Sequence, residues 1–145
     1  MYKNILLPTD GSELSAKTIE HGIDLAKTLG AKITVLMVTQ PFRTFVLEPL
    51  VIDATADEYT QHLRDRALKI TGDLAQKAQA AGVQADTVHV EDEHPYQAII
   101  DTAAAKGCDL VVMASHGRRG MAAVVLGSET VKVLTHSKIP VLVYR

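Results

Sequence analysis

The residues with the clearest chemical potential lie in Leu110–Thr130, which reads LVVMASHGRRGMAAVVLGSET. An apolar run breaks into a Gly-punctuated basic loop and ends at Gly127-Ser128, where a helical pattern begins. Gly117 and Gly120 let the backbone approach a ligand with no Cβ in the way. The N–H groups and dipole at a helix start favour an anion. Ser128 can cap that helix or bond a phosphate oxygen, and Arg118 and Arg119 add positive charge. The pattern is that of a phosphate site. A plain strand–loop–helix connection with a Ser cap fits the same spacing, with Met121–Leu126 folding back on the core in either case.

Other residues could complete such a site. Asp10, after the apolar run Asn4–Pro8, can bond ribose hydroxyls as acidic residues at strand ends do, or it can cap the helix that follows. Val38 can offer an apolar wall or a backbone bond to a flat base, or be plain core. His116 sits inside the loop, where a ligand contact and a backbone-bonded structural role both fit.

Several chemistries lack their motifs. No G-x-x-x-x-G-K-[ST] occurs, and no G-x-G-x-x-G follows the first strand. Met113-Ala114-Ser115-His116-Gly117 has the strand–Ser–x–Gly order of a nucleophile elbow but lacks its leading Gly and an acid–His partner order. The histidines show no tight metal-ligand spacing. His21, His62 and His136 fall in helical patterns and read as solvated. Cys108 reads as a small buried hydrophobe.

The elements that must position these residues alternate along the chain. Asn4–Pro8 reads as a strand, and Glu13–Leu29 as a helix, with Gly30 as its stop. Ile33–Val38 is a strand apolar on both faces. Gln40–Ile52 has many apolar residues but no period, and reads as a loop tucked onto the domain or as a lid or partner contact. A helix from Thr55 to Ala81 carries Tyr59, Leu63, Ile70, Leu74, Ala78 and Ala81 on one stripe, with Gly82 as its stop. Ala85–Val90 reads as an edge strand. Tyr96–Lys106 is a helix with Pro95 near its start and Gly107 at its end. Leu110–Met113 is a strand, a helix follows around Val131 and Leu134, and Pro140–Tyr144 is the last strand.

Five strands alternating with helices predict an α/β fold: an open, doubly wound parallel sheet, order 3-2-1-4-5, with helices on both faces. Ligands in such sheets sit outside the carboxyl ends of the strands where the order reverses. Here that brings Pro8-Thr9-Asp10 together with Met113–Gly117. The length of 145 residues suits one domain, 1–145. A net charge of −2 argues against binding nucleic acid or an acidic membrane through overall charge. The single cysteine excludes an internal disulfide. Pro8 and Asp10 interrupt the N-terminal apolar run, and no run is long enough for a membrane helix. The expectation is a soluble, cytoplasmic protein.

Together these residues resemble the universal stress protein family over essentially the whole chain. Its nucleotide-binding members carry Gly-x2-Gly-x9-Gly-Ser/Thr. That register falls here on Ala114-Ser115-His116-Gly117, nine residues, then Gly127-Ser128. The Leu-Pro-Thr-Asp-Gly-Ser opening and the Pro140–Val143 ending are also similar to the family. The resemblance implies a stress-response regulator that binds ATP, with or without Mg2+, and hydrolyses it slowly at most. Asp10 would hold the ribose, with Pro8, Thr9 and Val38 near the adenine. Met113, Ala114 and Gly117 would line the nucleotide, with His116, Arg118 and Arg119 in the same loop. Gly127, Ser128 and Thr130 would receive the phosphates. It also implies a homodimer through Val141–Tyr144. Two residues depart from the pattern: Ala114 replaces the motif's first Gly, and Glu129 brings a negative charge near the phosphates unless it faces solvent or helps hold a divalent cation. The competing functions are a nucleotide-independent dimeric stress adaptor, working through contacts such as Gln40–Ile52, and a small hydrolase using Ser115.

Overall fold

A computed structural model describes residues 1–42, 52–117 and 126–145. Its elements in chain order are β1 (Asn4–Thr9), α1 (Glu13–Leu29), β2 (Lys32–Thr39), α2 (Ile52–Ala80), β3 (Ala85–Glu91), α3 (Pro95–Ala105), β4 (Leu110–Ala114), α4 (Ser128–His136) and β5 (Val141–Tyr144). The strands form a five-stranded sheet, β3-β2-β1-β4-β5, with every neighbouring pair parallel. The predicted order and the reversal beside β1 are both present.

Alternation along the central strands divides the core into two layers. Ile5 and Leu7 of β1, Ile33 and Val35 of β2, and Leu110 and Val112 of β4 face α1 and α2. Leu6, Leu36, Val111 and Met113 face α3 and α4. Helices therefore cover both faces, which suits strands whose residues are apolar throughout. Ile5, Leu6, Leu7 and Val112 have no solvent exposure, and each such side chain is worth roughly 1.5–3 kcal/mol of transfer free energy. A Cβ on Gly22 would lie 2.6 Å from Leu7 Cδ2. The absence of a side chain there lets α1 lie close on β1.

The local stop signals act as expected. Gly30 follows α1 in the left-handed conformation at φ 64, and its N–H bonds the last turn. β3 is an edge strand, and Pro95 opens α3.

Some boundaries differ from the sequence reading. α2 starts at Ile52 rather than Thr55, so the end of the Gln40–Ile52 segment is helical; residues 43–51 lie outside the described residues. On α4 the inward residues are Thr130 and Val133, while Val131 and Leu134 are more than two-fifths exposed. His21, His62 and His136 are exposed, although His21 stacks on Tyr144 with ring centroids 4.7 Å apart. Cys108 is buried beneath the sheet, and burial pushes its thiol pKa up. Among the described residues no helix is long and apolar enough to cross a membrane.

Candidate functional site

The β1–α1 turn is built from short polar side chains. Thr9 Oγ1 accepts from Gly11 N at 3.1 Å and shares a 2.9 Å bond with Ser15 Oγ. Asp10 Oδ1 accepts from Ser12 N at 2.9 Å. The cap of α1 is Ser12, whose side chain accepts from Ser15 N at 3.2 Å. This answers one ambiguity in the sequence: Asp10 braces the turn and does not cap the helix. Gly11 turns the chain at φ 77, where a side chain would be strained. The result holds Asp10, half-buried, at the carboxyl end of β1.

The β4–α4 connection meets it from the other side. Gly127 N donates to Ser115 O at 2.7 Å, and Val131 N donates to Gly127 O at 3.0 Å. Gly127 is therefore the cap residue, and Ser128 the first helical residue, with no side-chain cap bond. The Ser128 hydroxyl does not cap α4. A Cβ on Gly127 would lie 3.2 Å from His116 Cα and 3.4 Å from Ser115 O, so a side chain there would push the start of α4 and the end of β4 apart by a few tenths of an ångström. Helix geometry leaves the N–H groups of Ser128, Glu129 and Thr130 without intrahelical acceptors.

Thr130 is buried, and its Oγ1 donates to Ala114 O at 3.1 Å, tying α4 to β4. Ala114 lies in the strand without a positive φ, so the departure from Gly imposes no backbone strain. Both carboxylate oxygens of Glu129 are engaged by protein groups. Its Oε2 accepts from Tyr96 N at 2.8 Å and its Oε1 from Lys132 Nζ at 3.1 Å. His94, the cap residue of α3, makes no side-chain cap bond, so Glu129 supplies that cap from the neighbouring helix. Its charge is balanced by the α3 N-terminus and Lys132. His116 is half-buried, with Nδ1 3.1 Å from Ser115 Oγ. Arg118 and Arg119 lie outside the described residues.

The two stretches converge. A Cβ on Gly117 would sit 2.5 Å from Asp10 Oδ2, which puts the end of β1 directly against the loop after β4. Over this junction lies a cavity of about 550 Å³, within the range of small-molecule sites. β1 contributes Pro8 and Thr9, the turn after it Asp10, and β2 contributes Val38. The β4 side contributes Met113, Ala114, His116 and Gly117, and the start of α4 contributes Gly127, Ser128, Glu129 and Thr130.

Sequence reasoning missed a third wall. Thr39 and Gln40 extend the β2 side, Pro95 and Ile99 come from α3, and Tyr59, Leu63 and Arg66 come from α2. The available signal is the apolar stripe of α2, which carries Tyr59 and Leu63. Among the described residues no group of three or more His, Cys, Asp or Glu could hold a metal ion.

Comparison with known proteins agrees with this architecture. The model of the Universal stress protein family matches residues 1–145, and the chain belongs to that family. It is 33% identical to universal stress protein YxiE of Bacillus subtilis (strain 168), covering 100% of both chains. Among solved structures it is similar to protein MJ0577 of Methanocaldococcus jannaschii, with a TM-score of 0.86 and 26% identity, covering 99% of this chain and 95% of that one. A universal stress protein solved in complex with cAMP shares the fold at TM-score 0.69 and 23% identity, covering 99% and 97%. One from Archaeoglobus fulgidus in complex with dAMP does so at 0.65 and 15%, covering 99% and 98%.

Proposed function

We propose that this stress protein is a regulator that binds ATP at the carboxyl ends of β1 and β4. The observation that carries the reading is the close approach of Asp10 to Gly117, beside a helix N-terminus and within one cavity. A carboxylate at a strand end suits ribose hydroxyls, and the N–H groups of Ser128 and Glu129 suit phosphate oxygens. Pro8, Thr9 and Val38 would lie by the adenine, and Met113, Ala114 and His116 along the nucleotide. Thr130 would act mainly by fixing the first turn of α4, because its donor is already engaged by Ala114 O. Arg118 and Arg119 would add charge to the phosphate end, and Mg2+ would accompany the phosphates rather than sit in a protein-only cage. The cAMP and dAMP complexes of fold neighbours agree with an adenine ligand for this architecture.

Hydrolysis would be slow at most, since no Walker-type lysine is present. The same reading takes residues 1–145 as one cytoplasmic domain. It pairs β5 with a second copy through Val141–Tyr144, an edge on which Leu142 is 39% exposed. Equilibrium dialysis with labelled ATP and Mg2+ tests the function. Saturable binding of one nucleotide per chain, abolished by Gly127→Glu, is expected. An absence of binding at millimolar ATP would contradict it.

A further inference from the structure

The first part of α2 extends past the sheet it packs on. The helix has 29 residues, or about 43 Å at 1.5 Å per residue, whereas β2 and β3 have eight and seven. Among its described side chains the buried ones begin at Ala67 and continue through Thr71, Leu74, Ala75 and Ala78. Before Ala67 the helix overhangs the carboxyl ends of the strands, and there it places Tyr59, Leu63 and Arg66 on the cavity.

These three residues continue the core stripe. The positions 59, 63, 66, 70, 74 and 78 advance by three or four residues at each step, which keeps them on one face. Ile70, Leu74 and Ala78 at the lower end of this stripe pack into the core. Arg66 is the charged member of the stripe. Lys69 and Lys77, on the outer face, pair with Asp73 and Glu20. No hydrogen bond or ion pair engages Arg66 among the described residues. Arg66 lines the cavity while exposed to solvent, and among the described residues no carboxylate pairs with it. Its position fits contact with a ligand.

Resting on the nucleotide reading above, we infer that Tyr59, Leu63 and Arg66 form the wall against which the ligand's purine ring packs, with the Arg66 guanidinium over its face. The phosphate-favouring groups belong to β4 and α4. Arg66 is carried by α2, which packs on β2 and β3, and β2 lies two strand positions, roughly 10 Å, from β4. That separation suits the base end of a nucleotide rather than its phosphates. A guanidinium is planar and weakly hydrated and stacks on aromatic faces as an ammonium does not. The Tyr59 ring is itself braced by Phe42, with centroids 5.0 Å apart.

Calorimetric titration of adenosine and of ATP into the wild type, Arg66→Ala and Arg66→Lys tests this. Arg66 is exposed, so the variants should fold, which circular dichroism checks. Arg66→Ala should weaken both ligands by the same factor, about tenfold, and Arg66→Lys should restore only part of the loss. Weakened ATP with unchanged adenosine would overturn the inference and make Arg66 a phosphate contact. Unchanged binding of both would overturn it outright, as would a wild type that takes ATP but not adenosine. A wild type that binds neither would instead overturn the nucleotide reading on which the inference stands.

Discussion

Replacing Gly117 with alanine perturbs the proposed ribose contact without touching the core. The new methyl would lie 2.5 Å from Asp10 Oδ2, so the two groups must separate by roughly 1 Å to reach an ordinary contact. The atom in the way is the end of a side chain, so the carboxylate yields before the backbone does. It cannot simply slide, because Oδ1 accepts from Ser12 N at 2.9 Å. Turning off its rotamer costs about 0.5–1.5 kcal/mol; losing the charged hydrogen bond costs about 1.5–3 kcal/mol. The expected loss of stability is about 1–2 kcal/mol, a fall in Tm of roughly 3–7 °C for a chain of this size. The expected loss of ATP affinity is larger, about 10- to 150-fold, if a charged hydrogen bond to the ribose goes with it. Titration calorimetry and thermal melting measure the two effects separately. Asp10→Asn and Gly117→Ala should combine less than additively, since both act through one carboxylate. Wild-type ATP affinity in Gly117→Ala would refute the reasoning.

Three further outcomes follow from the geometry. Glu129→Ala removes the cap that α4 lends to α3 and should lower stability by about 1 kcal/mol, read from the urea midpoint; an unchanged midpoint would mean that the Tyr96 N–H finds equal partners in water. Gly72 lies inside α2 with nothing within 4 Å of its missing Cβ, so Gly72→Ala should raise stability by about 0.5–1 kcal/mol, and a lower melting temperature would contradict this. His89, whose Nε2 lies 2.8 Å from Thr39 Oγ1, is held below the ordinary histidine pKa by burial and by Arg64, against the opposing pull of Glu91. The folded state therefore resists a proton that the unfolded chain accepts. Its contribution to stability is intact above the ordinary histidine value of about 6.5 and is lost as pH falls from there through the folded value. His89→Asn should flatten the acid-side fall in the urea midpoint below about pH 6.5, and an unaltered slope would remove His89 as its source.

How much of this was legible in the sequence depends on the range of the interaction that decides each feature. Gly30 and Gly107 were readable as helix stops because a left-handed residue is a local demand, and both have positive φ. The sheet order was readable because strand–helix alternation permits few arrangements. The approach of Asp10 to Gly117 followed from that order. What was not legible depends on contacts between helices. Glu129 looked like a misplaced charge beside the phosphates, because nothing in its neighbourhood along the chain reveals that it reaches Tyr96 N, 33 positions away. Ser128 looked like the cap of α4, but the tight bond from Gly127 N to Ser115 O moves the cap one residue earlier. The α2 wall was missed for a different reason. Periodicity identifies the inner stripe but not where the sheet beneath it ends, so Tyr59 and Leu63 read as core and Arg66 was passed over.

The central claim is that the β1 turn and the start of α4 act on one ligand. Amide NMR with ATP and Mg2+ titrated into the labelled protein addresses it most directly. The N–H resonances of Asp10, Gly117, Ser128 and Glu129 should shift together and follow one dissociation constant. No shift at millimolar ATP, or shifts at Ser128 and Glu129 that leave Asp10 and Gly117 unmoved, would contradict the account.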